Sequence, residues 1–431
     1  MGTVYRLLLK QHIGGAGIPV VAKGDEVGCG QVIAEVAGMG ANLHASVSGK
    51  VKDITDQYIE IEESSTQQKG FHPLSGEGSV GDIVKAAGLV GMGGAGFPTH
   101  VKLATKLEGG AIIGNAAECE PLLAHNIKQI EEHPDMIYRG IKYAMQATGA
   151  TRGILAIKGK HGAAIKAFKK ASNSADKIEV FLLRDQYPMG EERAIIRDAL
   201  GTLLGIDQLP SAAGAVVLNV ETLSRITEAV EEHRPVISKH VTVVGKLKSG
   251  TSSQVFFDVP IGTPIRTLIE RAGGIDGNYG EIIQGGPFTG KRATPDDVIT
   301  KTTGGVIVTM EFPREKRPLG LLVCACGGNE ARLREIAASM EAVVVGVERC
   351  KQAQEIKGAL KCEDPGNCPG QAEKILELRK KGAQAILISN CSDCTNTVMC
   401  VAPKLHIPVY HCTDHVMRTV GHALIRRLQS V

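Results

Sequence analysis

The sequence predicts a multidomain α/β chain, and three observations carry that prediction. At about 150 residues per domain, 431 residues leave room for three or four units. The hydrophobic pattern changes along the chain, from short alternating strands to strands interleaved with helices, then to mixed strands, and finally to strand–helix repeats. Nine of the 11 cysteines lie beyond residue 323, whereas residues 1–323 hold only Cys29 and Cys119.

Composition excludes several classes. Hydrophobic residues at 43% and charged residues at 22% are ordinary globular values. No run of about 20 apolar residues is present to cross a bilayer. The opening MGTVYRLLLKQHIGGAG lacks the apolar stretch and cleavage site of a signal peptide. A net charge of +3, from 49 basic and 46 acidic residues, is too balanced for phosphate-backbone binding. Seven Tyr, eight Phe and no Trp give no base-stacking platform. Clustered thiols without an export signal point to a cytoplasmic chain whose cysteines bind metal or carry redox chemistry.

Residues 1–65 read as short strands between Gly and Asp turns, as in VVAKGDEVGCGQVIAEV and YIEIEE. Gly24-Asp25-Glu26-Val27 and Ser48-Gly49-Lys50-Val51 resemble the barrel-sandwich hybrid fold of lipoyl and biotinyl domains. The tip, GMGANLHASVSG, has no Lys to modify, so a structural module without a swinging arm is expected.

Residues 66–239 alternate helix and strand, which implies a mostly parallel, Rossmann-like sheet. SVGDIVKAAG has helical spacing behind a Ser cap. The strands are expected at 109–116, 152–159 and 177–185, and in AGAVVLNV before the helix ETLSRITEAVEE. Residues 240–312 form a compact α+β unit of β-grasp size, with one helix starting after Gly-Thr-Pro. FPREKRP reads as a linker. Residues 319–431 form a Cys-rich parallel α/β domain, with four strands in LGLLVCACGG, AVVVGVERC, AQAILISNCSDC and IPVYHC.

The segment GLVGMGGAGFPTHVKL places Gly91, Gly93, Gly94 and Gly96 where backbone amides can approach an anion, followed by Lys102. Alone, such a loop is weak evidence for a ligand. It is followed in order by NAAECEP (115–121), YPMGEE (187–192) and NVETL (219–223). Together these motifs resemble the FMN- and NADH-binding subunit of complex I and, more closely, the RnfC protein of the Rnf electron-transport complex, over about residues 1–312. The resemblance implies that the β-grasp unit is an SLBB domain.

It also implies that Gly91, Gly93, Gly94, Gly96 and Lys102 hold the phosphate and ribityl chain of FMN. Asn115 and Glu118 would meet the flavin side of the cavity. Tyr187, Gly190, Glu191 and Glu192 would line flavin and nicotinamide nucleotide, with Asn219 on the flavin and Phe97 and Glu120 on the nucleotide. NADH would be the electron donor. Ala117 and Leu218 replace an Asp and an Asn of the complex I pattern. The two C-x₂-C-x₂-C-x₃-C-P runs that follow in RnfC proteins are absent, so electrons leaving the flavin need another route.

The tail offers one. Cys324, Cys326, Cys350, Cys391, Cys394 and Cys412 fall at the carboxyl ends of its strands, the edge where ligands gather in open parallel sheets. Cys391-Ser392-Asp393-Cys394 opens a helix, whose positive end favours thiolate. A redox dithiol there, helped by Cys324 and Cys326, is the leading expectation. A [2Fe–2S] centre and a zinc site are the alternatives. Cys29 and Cys119 read as structural; Cys362 and Cys368 fall in a loop, and Cys400 within a helix. The whole arrangement resembles the proline-reductase-associated electron-transfer proteins of amino-acid-fermenting clostridia. That resemblance implies D-proline reductase as the partner.

Overall fold

The computed structural model describes residues 2–65 and 70–426. Residues 66–69, at the expected first domain boundary, and 427–431 lie outside the described residues. The N-terminal strands pair antiparallel in two small sheets. One has the order Val4–Leu8, Tyr58–Glu63, Gly49–Ile54, Glu26–Val27; the other has Ile18–Pro19, Val32–Glu35, Leu43–His44. Ile59 and Ile61 alternate inward with Leu7, Ile33 and Val51, closing a single apolar core between the sheets.

The second sheet is fully parallel, in the order Ile178–Leu183, Arg152–Lys158, Ala111–Ala116, Ala215–Asn219. Chain order runs outward from Ala111–Ala116 in one direction and then returns to its other side. The topological switch point therefore lies between the strands ending near Asn115 and Asn219, which are register partners. Helices Pro134–Thr148 and Val220–Glu231 pack on one face. Their close crossing requires Gly140, since a Cβ there would lie 2.1 Å from the Leu223 carbonyl oxygen.

The third sheet is mixed, in the order Gln254–Pro260, Ser238–Gly245, Gly305–Val308, Ile282–Gln284, Lys291–Ala293, with helix Ile265–Arg271 against it. Ser238–Gly245 is buried along its whole length, so a boundary at 239/240 would cut through one strand. Lys301 is buried and donates its Nζ to Asn42 O at 2.6 Å and Gly88 O at 2.7 Å. That contact ties the N-terminal sheets to the segment leading into the glycine-rich loop.

The tail forms the four-stranded parallel sheet its sequence predicts, in the order Val344–Arg349, Leu319–Val323, Ala385–Ile388, Val409–His411. A hairpin, Ala353–Ile356 with Ala359–Cys362, replaces part of the expected loop. Its turn is Lys357-Gly358, both at positive φ. The expected linker is fastened rather than free. Glu315 is buried, pairs with Arg317, accepts from the Tyr410 hydroxyl at 2.7 Å, and its N–H reaches Met340 O.

The tail is docked on both preceding units. Glu281 of the third sheet takes Arg332 and, at 2.8 Å, His415 of the tail. Arg193 donates to the carbonyls of Cys362 and Glu363, and Arg197 reaches Asp364 and Pro365 O.

Candidate functional site

At the switch point the chain leaves a cavity of about 770 Å³, with an inner chamber of about 160 Å³ that shares Gly93, Gly94, Cys119, Glu120 and Gly190 with it. The larger volume lies in the range of cofactor clefts. Its walls come from three units: the glycine-rich loop and strand ends of the parallel sheet, residues 284–285, 289–291, 300 and 302–303 of the third sheet, and Cys326 with residues 360–362 of the tail.

Each sequence-predicted residue has a definite place. Gly93, Gly94, Glu120, Tyr187, Gly190 and Glu191 line the cavity, while Asn115, Glu118 and Asn219 line the inner chamber. Gly94 sits at φ +106 with open space where a Cβ would point, and a Cβ on Gly93 would press on Asn219. Asn115 donates to Gly190 O at 2.9 Å, and Asn219 caps helix Val220–Glu231 through Glu221 N.

Gly91, Gly96, Phe97, Lys102 and Glu192 do not line the cavity. Gly91, Gly96 and Phe97 close the loop on itself, with Gly91 N–H to Phe97 O at 2.8 Å. Lys102 pairs with Glu192 at 2.5 Å and donates to Val217 O. Glu120 is already engaged: it accepts from Phe288 N, Thr289 N and the Thr289 hydroxyl, pinning the third sheet's turn to the parallel sheet.

Glu118 is the least satisfied group. Its backbone is left-handed at φ 36, and its buried Oε2 has no hydrogen-bond partner. Burial pushes its carboxyl up to about 7 from the ordinary 4.5, against the pull of Asn126. Between those values the native carboxyl keeps a proton that the unfolded chain has lost, so stability declines as pH rises from about 4.5 to 7. We expect Glu118→Gln to remove a pH-dependent component on the order of 2–3 kcal/mol across that window. Urea midpoints of both proteins at several pH values check this; parallel curves would remove Glu118 as the cause.

The tail's thiols converge behind one wall of the cavity. Cys324, Cys350, Cys391 and Cys394 are buried together with Tyr187 and Phe288, and Cys119, Cys326 and Cys368 pack against them. Cys391 caps helix Ser392–Met399, as its position at the strand-to-helix turn predicts. Cys324 and Cys391 are held well below the usual thiol range, above all by the neighbouring Cys326 side chain, which rises in consequence. Cys368 falls to about 6, stabilised first by Cys394 and then by Thr397 and Gln371.

One expectation needs correction. Cys412 does not join the rim: one residue past the strand end, its side chain turns into the core with Leu321 and Ile336, and burial pushes it up to about 12. Cys119, read as structural, is pushed up to about 12 by burial as well. It lines both chambers and accepts the Gly190 N–H at 2.6 Å. Sequence reasoning also missed Phe288, whose ring stacks on Tyr187 with centroids 3.7 Å apart. The Tyr187 hydroxyl in turn donates to Cys326 O, so the stacked pair joins the cavity wall to the buried thiols.

A glycine-lined cleft at a topological switch point, with cysteines in its wall, defines a cofactor-binding redox protein. Residues 84–228 match the Nuo51 FMN-binding domain, and residues 2–68 match the RnfC barrel sandwich hybrid domain. The chain is 31% identical over 336 residues to the RnfC-type component of the Na(+)-translocating ferredoxin:NAD(+) oxidoreductase complex of Acetobacterium woodii. That match covers 73% of this chain and 75% of the relative. It is 35% identical over 322 residues to the corresponding component of the proton-translocating ferredoxin:NAD(+) oxidoreductase complex of Clostridium ljungdahlii, covering 69% of each. Cobalamin reductase PduS of Salmonella typhimurium is 40% identical over 226 residues, 52% of this chain and 48% of that protein. The chain belongs to the RnfC family, a family of electron-transfer oxidoreductase subunits. Among the described residues no helix is long and apolar enough to cross a membrane.

The residues present fit FMN. Open space at Gly94, a side-chain-free Gly93 against Asn219, the unpartnered Glu118 Oε2 and the Asn115 and Asn219 amides give a cradle, hydrogen-bonding groups and close backbone approach.

Proposed function

We propose that the chain passes electrons from NADH, through FMN, to a thiol/disulfide centre of the tail, reducing its disulfide to two thiols, and on to a partner reductase in the cytoplasm. The observation that carries this reading is that Cys326 and Cys362 line the same cavity as Gly93, Gly94 and Tyr187. FMN, when bound, accepts two electrons as hydride and releases them together or singly.

The chain's own residues do the rest. Gly93 and Gly94 let backbone amides reach the phosphate, with Lys102 adding positive charge behind the loop and Glu192 as its counter-ion. Asn115, Glu118 and Asn219 orient the ring side, and Tyr187, Gly190 and Glu191 face the nucleotide. Tyr187 and Phe288 exclude water where the cavity wall joins the buried thiols. Residues 1–65 and 240–312, the latter as the SLBB-like unit, hold the frame. Whole-chain resemblance favours D-proline reductase as the partner, reduced through Cys326 and Cys391.

The test separates the two halves of the path. With flavin-loaded protein, NADH oxidation is followed with ferricyanide and, separately, with an aromatic disulfide. Cys391→Ser is expected to leave the ferricyanide rate within about twofold and to lower the disulfide rate at least tenfold, the scale of losing an activated nucleophile. Equal loss of both would make Cys391 structural, and no NADH oxidation at full flavin loading would overturn the reading.

A further inference from the structure

The thiols form two groups. Cys326 and Cys362 look into the cavity. The sulfurs of Cys324, Cys350 and Cys394 instead lie behind it, all within 4.8 Å of one another and buried. Cys368 lies outside that set and is joined to it through a shared donor. Gln371 is fully buried, and its Nε2 stands 3.2 Å from the Cys350 sulfur, 3.3 Å from Cys368 and 3.8 Å from Cys394. The Gly370 N–H also donates to Cys368 at 3.3 Å.

We propose that Cys324, Cys350, Cys368 and Cys394 hold a single tetrahedral thiophilic cation, zinc or iron, behind the flavin cavity, with Gln371 orienting three of the sulfurs. Four thiolates about 2.3 Å from one ion sit roughly 3.8 Å apart by tetrahedral geometry; the triad, all within 4.8 Å, has to close by about 1 Å at most, and Cys368 has to move in with its loop. A cubane cluster does not suit the triad, because each of its thiolates rides on a different iron and stands much farther off. A [2Fe–2S] centre takes only two protein thiolates per iron, so three sulfurs around one point do not suit it either.

The surroundings suit thiolates rather than thiols. An amide N–H shared among three sulfurs stabilises negative sulfur and fixes its orientation, as donors next to metal ligands do. Two helices begin here: Gln371 caps Ala372–Lys380, and Cys394 lies in the first turn of Ser392–Met399. Their positive ends offset the charge that four thiolates leave over on a divalent ion. The site lies on four separate chain segments, at the ends of Leu319–Val323 and Val344–Arg349, in the 363–371 loop and in the helix after Ala385–Ile388. An ion would therefore hold that loop to the sheet. It would also remove Cys394 from any exchange with Cys391, leaving Cys391 facing Cys326.

The experiment uses the full chain purified without oxygen, and needs no flavin, so its outcome is separate from that of the electron-transfer test. Elemental analysis should find about one zinc or iron per chain without acid-labile sulfide. The elemental analysis names the metal, and added ferricyanide should turn an iron site red through sulfur-to-ferric charge transfer while a zinc site gains no such bands. Cobalt exchanged into the wild type should give tetrahedral d–d bands with thiolate charge transfer. Cys350→Ser and Cys368→Ser should each lower bound metal at least fivefold, and Cys29→Ser and Cys400→Ser should not.

Should those ligand variants fail to fold, alkylation of the wild type decides. The four named cysteines should be protected with metal and modified after chelation. Metal below a tenth of an equivalent, a sulfide-containing cluster, octahedral cobalt bands or equal alkylation with and without metal would each overturn the proposal.

Discussion

Glu221→Gln is expected to destabilise the protein by about 3–5 kcal/mol, the cost of leaving a buried lysine without its partner. Glu221 and Lys239 have no solvent-exposed side-chain surface and pair directly, and Glu221 also accepts the His240 N–H at 2.8 Å. Glu221 stands in the first turn of helix Val220–Glu231, and Lys239 in strand Ser238–Gly245. The pair therefore joins the parallel sheet's last helix to the third sheet. Burial draws the Lys239 ammonium below its ordinary range even beside Glu221, so losing the carboxylate removes what keeps it charged. Glu221→Leu combined with Lys239→Met should recover much of the loss, because no charge is then stranded. Urea midpoints of the two single variants and the double variant measure the coupling. A double variant as unstable as the sum of the singles would show that shape, not charge, is at stake.

Glu221 also shows what a motif hides. NVETL was legible as part of a flavin-family pattern, and Asn219 was its expected ligand-facing residue. In the structure Thr222 Oγ1 holds Met92 N at 3.0 Å, steadying the glycine-rich loop, while Glu221 braces the next sheet. Residues of one motif thus do three jobs, and spacing alone cannot divide them. The strands of both parallel sheets were legible because apolar runs bounded by Gly or charge have few alternatives.

The hairpin at 353–362 was not legible. Both of its strands are only four residues long and mostly exposed or half-exposed, without a clean apolar alternation, and the marker left is Lys357-Gly358. The parity of Cys412 was lost for a related reason: one residue past a strand end decides which face a side chain takes. The cavity's tail wall is purely tertiary. No local pattern announces that Cys326 and Cys362 will face Gly93, or that Phe288 will stack on Tyr187. Glycine content was a fair pointer to the cradle, yet Gly286 serves a different end, since a Cβ there would collide with Glu120.

Arg193→Ala is expected to separate the two halves of the electron path. Arg193 is buried at the start of helix Glu192–Leu200, and its guanidinium serves two tail carbonyls, of Cys362 and Glu363. Truncation strips donors from both carbonyls, each costing about 1–3 kcal/mol where water does not reach. Arg197 retains Asp364, but that pair is partly exposed and contributes little alone. Docking of the tail hairpin should thus weaken about 100-fold, from a loss near 3 kcal/mol. Amide exchange over residues 353–366 should accelerate accordingly, while the buried strand Ala111–Ala116 stays protected. Disulfide reduction driven by NADH should fall with docking, and ferricyanide reduction should fall less: Arg193 and the tail line the cavity's outer wall, whereas the inner chamber is lined without them. Arg193→Lys should be intermediate, because a lysine can reach one carbonyl but not fork to two. If disulfide reduction survives in Arg193→Ala with the hairpin demonstrably released, the thiols work as a mobile carrier. The docked wall of the cavity would then be a resting position, not the transfer geometry.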